Sequence, residues 1–177
     1  MLPFLHLAGS LKRVQRQGWI HAGVPGRIES VADHSWRVAL MAVLLGDERA
    51  VKMALLHDLQ EAIVGDIIPE AKGGVSAADK HEAEREAVKR ISEMLPADAP
   101  LRHELPLLFH EYEEGTSPTA VLVKDLDKAE MLLQASEYEG AVNLQDFFDS
   151  TAARIKSPAV RQLVENVVRE RRERTKV

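Results

Sequence analysis

The chain has 177 residues, a net charge of -5, 45% hydrophobic and 29% charged residues, and no cysteine. Its length and composition fit one globular domain with its own core, and the missing thiols exclude a disulfide scaffold, an iron–sulfur protein and a thiolate zinc site. The acidic balance argues against a nucleic-acid partner, and the longest apolar run, Val38 to Gly46, is far too short for the roughly 20 residues of a membrane span.

Few aromatics and few β-branched runs point to helices throughout. The pattern predicts a helix over 3–16, then a loop over 17–29 rich in Gly and basic residues. Ser30 is placed to cap a helix running to Leu45. Gly46 breaks it, and Asp47 is placed to cap a helix from 48 to Val64 that Gly65 stops. Residues 66–75, with Pro69, Gly73 and Gly74, read as an irregular loop. Ser76 with Asp79 opens an alternating-charge helix to Leu95, expected to be a solvated face. A shorter helix follows over 101–114. Ser117-Pro118 starts a helix to Glu139, and Asn143 and Ser157-Pro158 open two more. The terminal run Arg169 to Arg174 alternates sign and reads as a solvated helix end. The fold class is therefore all-α, with eight or so helices. No secretory leader is read at the N-terminus, and a cytoplasmic location is expected.

The helix expected over 48–64 carries polar groups where apolar ones belong. Arg49, Lys52 and Gln60 share one arc, the solvent side. His57, Asp58 and Glu61 lie opposite, among Ala50, Met53, Ala54 and Val64. An ionised carboxylate on a buried face is costly unless it is paired or binds a metal. The preceding helix repeats the pattern, with His34 beside Val31, Val38 and Met41. A lone His in such a place is ordinarily a satisfied core residue. Two of them plus an adjacent Asp ask for a divalent ion, because imidazole and carboxylate suit manganese, cobalt, iron or zinc. A fourth donor is sought on the 118–139 helix, where Lys124 and Lys128 mark the solvent arc. Periodicity there leaves Asp125 and Asp127 both open and mildly prefers Asp127.

A separate His, an adjacent His-Asp pair and a distant Asp, all on helices, resemble the HD-domain phosphohydrolases. Three stretches are similar to the 5′-deoxynucleotidase branch of that family: Glu29 to His34, His57 to Ile67, and Leu126 to Ala135. The resemblance covers residues 5–150. It implies an all-α HD-domain helical bundle filling residues 1–177, with helices 144–173 packed on the motif-bearing part. It also implies a homodimer that hydrolyses deoxynucleoside 5′-monophosphates with a divalent ion, whether Mn, Co, Mg, Fe or Zn. Carried over residue by residue, the metal ligands are His34, His57, Asp58 and Asp127, and Asp125 is left out. Glu61 matches the catalytic acid. Asp66 matches an acid that contacts substrate or, with Glu61 and the Ile67 carbonyl, a second ion. Arg16 and Trp19 resemble residues that hold phosphate and sugar, with Arg13 as the alternative to Arg16. Arg27 is a further phosphate candidate.

Two His and two Asp leave positions open on an octahedral ion for water and phosphate. Glu61, about one turn after His57, is on the same side and can move a proton. Of the other histidines, only His81 is placed near the cleft. Competing expectations are an HD enzyme acting on a triphosphate or alarmone, and a non-catalytic metal-stabilised binding domain. The retained Glu61 weighs against the latter. A Gly-Tyr-Pro motif is absent, which argues against a cyclic-dinucleotide phosphodiesterase.

Overall fold

The computed structural model describes residues 1–68, 74–140 and 142–174. The chain runs through α1 (Leu2–Ser10), α2 (Gln17–His21), α3 (Val31–Leu44), α4 (Glu48–Leu56), α5 (Glu61–Val64) and α6 (Ala77–Glu93). It continues through α7 (Pro100–Glu114), α8 (Pro118–Tyr138), α9 (Gln145–Thr151) and α10 (Pro158–Arg174). Single 3-10 turns lie at Leu11–Arg13 and Ala152–Arg154, and no strand occurs among the described residues, as the composition implies. Of the expected 66–75 loop, Pro69 and Gly73 lie outside the described residues.

The long helices start at the expected caps. Ser30 Oγ accepts from Asp33 N (3.1 Å) while the Asp33 carboxylate accepts from Ser30 N (2.9 Å), which orients the first turn of α3. Asp47, Ser76 and Ser117 accept from Ala50 N, Asp79 N and Ala120 N in the same way. α3 packs on both α4 and α8, and α10 covers another side of α8. Val38, Ala42, Met53, Val123, Leu126 and Leu132 fill that centre. Each large side chain buried there contributes about 1.5–3 kcal/mol.

Several expectations need correction. The first helix ends at Ser10 rather than residue 16, because residues 14–16 leave it to pair with 29–31. Val31 N donates to Val14 O (2.8 Å) and Arg16 N to Glu29 O (3.1 Å). The loop expected over 17–29 contains α2.

The 48–64 helix breaks at 57–60. Leu59 N donates to Leu56 O and Glu61 N to Asp58 O, both 3.1 Å, so i→i+3 bonds replace the α-helical ladder. The break turns Gln60 inward to 3% exposure, not outward with Arg49 and Lys52.

Asp125, left out of the expected ligand set, does not line the cavity. It is 1% exposed and accepts from Lys156 N (2.8 Å) and Ser157 N (2.7 Å), holding the start of α10. Finally, α6 is only partly solvated. Glu84 is buried and Lys80 half-buried, both facing inward. The terminal basic run is also partly packed, with Arg171 paired to Glu139 and lying over the Phe148 ring.

Candidate metal centre and its cavity

A cavity of about 450 Å³ opens where α6, α7, α8 and α9 face the α4–α5 turn. His34, from the first turn of α3, and His57, at the end of α4, sit beside it. Both are fully or nearly fully buried, with ring centroids 5.5 Å apart. The other contact of each ring decides its chemistry. His57 Nδ1 lies 2.7 Å from Ala54 O, and a carbonyl only accepts, so Nδ1 carries the proton and Nε2 keeps its lone pair. His34 Nδ1 is held by Glu130 Oε2 at 2.5 Å, which leaves His34 Nε2 in the same condition. Neither Nε2 has a hydrogen-bond partner.

Carboxylate oxygens face these two atoms. Asp127 Oδ1 is 3.2 Å from His34 Nε2. Asp58 Oδ2 is 3.2 Å from His57 Nε2 and 3.7 Å from His34 Nε2. Donor atoms of His34, His57 and Asp127 all lie within 4.8 Å of one another. Lone pairs and carboxylates aimed at one point repel unless a cation sits there. Burial and nearby Arg16 oppose a charge on His34, yet Asp127 and Glu130 outweigh them and push its pKa up to about 9, so without an ion His34 Nε2 takes up a proton that a divalent cation would displace. Burial likewise opposes ionised Asp58 and Asp127. For Asp58, His57, Arg16 and His34 reverse that, and for Asp127 His34 does so first. Both carboxyls end well below the usual range. Two imidazoles and two carboxylates gathered in this way are a donor set that fits a divalent ion.

Behind His34 is a relay that sequence reasoning missed. Glu130 is fully buried and accepts from Arg37 Nε (2.8 Å), while Arg37 also donates to Gln134 (2.6 Å) and to Glu137. His34 and Arg37 raise no barrier to ionised Glu130: they overcome its burial and lower its pKa. A carboxylate on the distal nitrogen fixes a ligand's tautomer and raises its basicity. The signal was present, since Glu130 follows Asp127 by three and Arg37 follows His34 by three, each on one helix face.

Glu61 opens α5 at 3% exposure, with Oε2 unpartnered. Burial, then Asp58 and Asp66, raise its pKa well above the ordinary value. Asp66 lines the same cavity and accepts from Gln17 N at 2.7 Å, tying down the start of α2. The Ile67 carbonyl, the remaining member of the expected second-ion set, accepts from Lys80 Nζ at 3.3 Å.

Arg16 lies in the cavity wall, 3.4 Å from Asp58 through Nη1. Burial disfavours its charge, but Asp58, Asp66, Asp127 and Glu61 together raise its pKa. Arg13 is exposed on the 3-10 turn and does not reach the cavity. Arg27 is not brought to the site. Its side chain is 89% exposed and its ion pair is with Asp33, because the 24–29 segment passes outside the cavity. Trp19 is both core and wall. It stacks on Phe147 (4.8 Å, 27°), and its Nε1 donates to buried Glu29 at 2.6 Å. Tyr112, Lys80, Lys124, Met131 and Phe147 also line the cavity and were not singled out from sequence. Tyr112 Oη donates to Asp127 Oδ2 at 3.2 Å. His81 does line the cavity and stacks on Phe109.

The chain is similar to known proteins over nearly its whole length. A 5′-deoxynucleotidase, HDDC2 from Homo sapiens, is 47% identical over 180 residues, which cover 97% of this chain and 86% of that protein. Among solved structures, a conserved hypothetical protein from Pyrococcus furiosus superposes with a TM-score of 0.74 at 39% identity, covering 96% of this chain and 99% of that one. A "predicted metal-dependent phosphohydrolase" from Magnetospirillum magnetotacticum gives 0.74 at 30% identity, covering 98% and 94%. The pattern described as the HD domain matches residues 8–167, nearly the whole chain, and the chain belongs to the HD domain family.

Proposed function

We propose that this chain is a metal-dependent 5′-deoxynucleotidase, hydrolysing deoxynucleoside 5′-monophosphates to deoxynucleoside and phosphate. One observation carries the reading. Two buried imidazoles, each pinned through Nδ1, aim partnerless Nε2 atoms at two carboxylates beside a cavity that also holds Arg16 and Glu61. The relatives named 5′-deoxynucleotidase support it at 35–47% identity. In this reading His34, His57, Asp58 and Asp127 hold one divalent ion, and Glu61, Asp66 and the Ile67 carbonyl are the donors for a second. The bound ion supplies Lewis acidity toward a phosphoryl oxygen and lowers the pKa of water.

The chain's own groups do the rest. Arg16 holds the phosphate and stabilises charge developing on it. Glu61 Oε2 accepts a proton from the attacking water and returns one to the departing 5′-oxygen, so protons balance over the cycle. Trp19, Met131 and Phe147 form an apolar wall for the sugar. The only polar atom of the indole is already given to Glu29, so that wall offers a 2′-hydroxyl no partner. Discrimination by a wall of this kind is limited to about a hundredfold.

The reading takes residues 1–177 as one HD domain in a cytoplasmic homodimer. Trp36, Leu40, Val43 and Leu44 form an exposed apolar stripe on α3 that a second copy would cover. No described helix is long and apolar enough to cross a membrane.

The test is phosphate release from paired deoxy- and ribonucleoside 5′-monophosphates by metal-stripped protein, with cobalt, manganese, magnesium or zinc restored singly. Release confined to the deoxy set and dependent on metal is expected. Silence with every metal, in protein that still binds one, overturns the reading.

A further inference from the structure

The cavity is crowded with carboxylates. Asp58, Glu61, Asp66, Asp127, Glu84 and Glu113 line it, against Arg16, Lys80 and Lys124. A phosphate monoester carries about two negative charges at neutral pH, so it needs positive groups along its path. Arg16 sits beside Asp58. The Lys124 ammonium lies over the Tyr112 ring, 4.3 Å from its centre. Lys80 differs from both. It reaches in from α6 and touches a neutral carbonyl, Ile67 O, at 3.3 Å and Glu84 Oε1 at 3.6 Å. The first is a long hydrogen bond and the second is beyond hydrogen-bond range. An ammonium has three N–H donors, and this one faces Glu61 and Asp66 at half-burial.

We propose that Lys80 is a phosphate-binding residue of this site, the partner of Arg16 in holding the phosphoryl oxygens of the substrate. The inference rests on the phosphatase reading above and adds a residue to it. Glu84 is the anchor. It lies one helical turn beyond Lys80 and is 4% exposed. Its charge keeps Lys80 protonated and aims the side chain across the cavity rather than into solvent. The weak contact with Ile67 O is easily exchanged for a charged phosphoryl oxygen, whose hydrogen bond to an ammonium is roughly twice as strong as one between neutral groups. Before substrate arrives, the same ammonium offsets the repulsion among Glu61, Asp66 and Asp58. An alternating-charge helix that looks solvated from its sequence thereby supplies one wall of the binding site.

The experiment uses the full chain, metal-loaded, as wild type and as Lys80→Met, Lys80→Gln and Lys80→Arg. Two quantities are read: the Kd for inorganic phosphate by calorimetry, and KM and kcat for deoxyadenosine 5′-monophosphate. Bound metal per chain and melting temperature are measured alongside. In Lys80→Met and Lys80→Gln, both Kd and KM are expected to rise by about tenfold or more, the scale of one charge-assisted contact. Lys80→Arg keeps the charge and is expected to stay within about threefold. Metal content and melting temperature stay at the wild-type values. Unchanged Kd and KM in Lys80→Met overturn the proposal. So does an equal loss in all three variants with loss of metal, which would make Lys80 a support of the ion site instead. Phosphate binding is read without turnover, so the two readings fail separately. If the wild type binds phosphate through Lys80 but hydrolyses no monophosphate, the activity reading falls and this one stands.

Discussion

On the α3–α8 side of the cavity, His34 is gripped by Glu130, Glu130 by Arg37, and Arg37 by Gln134 and Glu137. These groups sit on helices of 14 and 21 residues. On the α5–α6 side, Glu61 stands at the head of a four-residue helix with a bare carboxylate oxygen, and Lys80 rests on a carbonyl. The first wall is preorganised, with side chains locked by further hydrogen bonds. The second keeps unsatisfied donors and acceptors that a substrate can use. This division matches what each wall is asked to do. An ion site works best when its ligands cannot relax. Proton transfer and phosphate capture need groups whose partners arrive with the substrate.

Breaking the second wall should cost the most activity and the least structure. Glu61→Gln preserves shape and removes the proton acceptor, so kcat for a deoxynucleoside monophosphate should fall about 10²- to 10⁴-fold. Bound metal and melting temperature should remain those of the wild type. Steady-state kinetics beside metal analysis checks this, and near-normal turnover would remove Glu61 from the chemistry. Breaking the first wall should do the reverse. Glu130→Gln still accepts from His34 Nδ1 but withdraws the negative charge behind the ring, so metal affinity should drop about 10- to 100-fold. Activity should then return at high metal concentration. Titration against a competing chelator measures it, and unaltered affinity would show that His34 needs no carboxylate behind it.

The two walls were also unequally legible in the sequence. His34, His57 and Asp58 stood out because charged or polar groups occupied apolar helix faces, Asp127 was singled out by the family resemblance, and the structure does bring the four together. Gln60 was misplaced because helical periodicity assumes an unbroken helix, and the ladder changes at 57–60. Lys80 and Glu84 were hidden in a regular alternation of charges that is indistinguishable from a solvated face. Periodicity left Asp125 open beside Asp127 because the backbone it caps, Lys156 and Ser157, arrives from 31 and 32 residues away in the chain. Local pattern reports which face of a helix is apolar. It does not report what another helix brings to that face.

The smallest effect expected belongs to Glu29, at the edge of the preorganised wall. It is 7% exposed and accepts from Trp19 Nε1. Burial first, and neighbouring Glu130 second, push its pKa up from 4.5 to about 7. A carboxyl raised in this way binds a proton in the folded state that the unfolded chain has released, over the window between those two values. Stability from this group is therefore full below pH 4.5 and declines as pH rises through 7. Glu29→Gln keeps the oxygen that accepts from Trp19 and removes the titration. The variant should melt close to the wild type at pH 4 and above it at pH 8. Melting curves of the two proteins across that range test the point, and parallel profiles would mean that Glu29 is ionised at no cost. In that case the preorganised wall tolerates a second buried negative charge beside Glu130, and Arg37 screens more of it than its contacts with Glu130, Gln134 and Glu137 suggest.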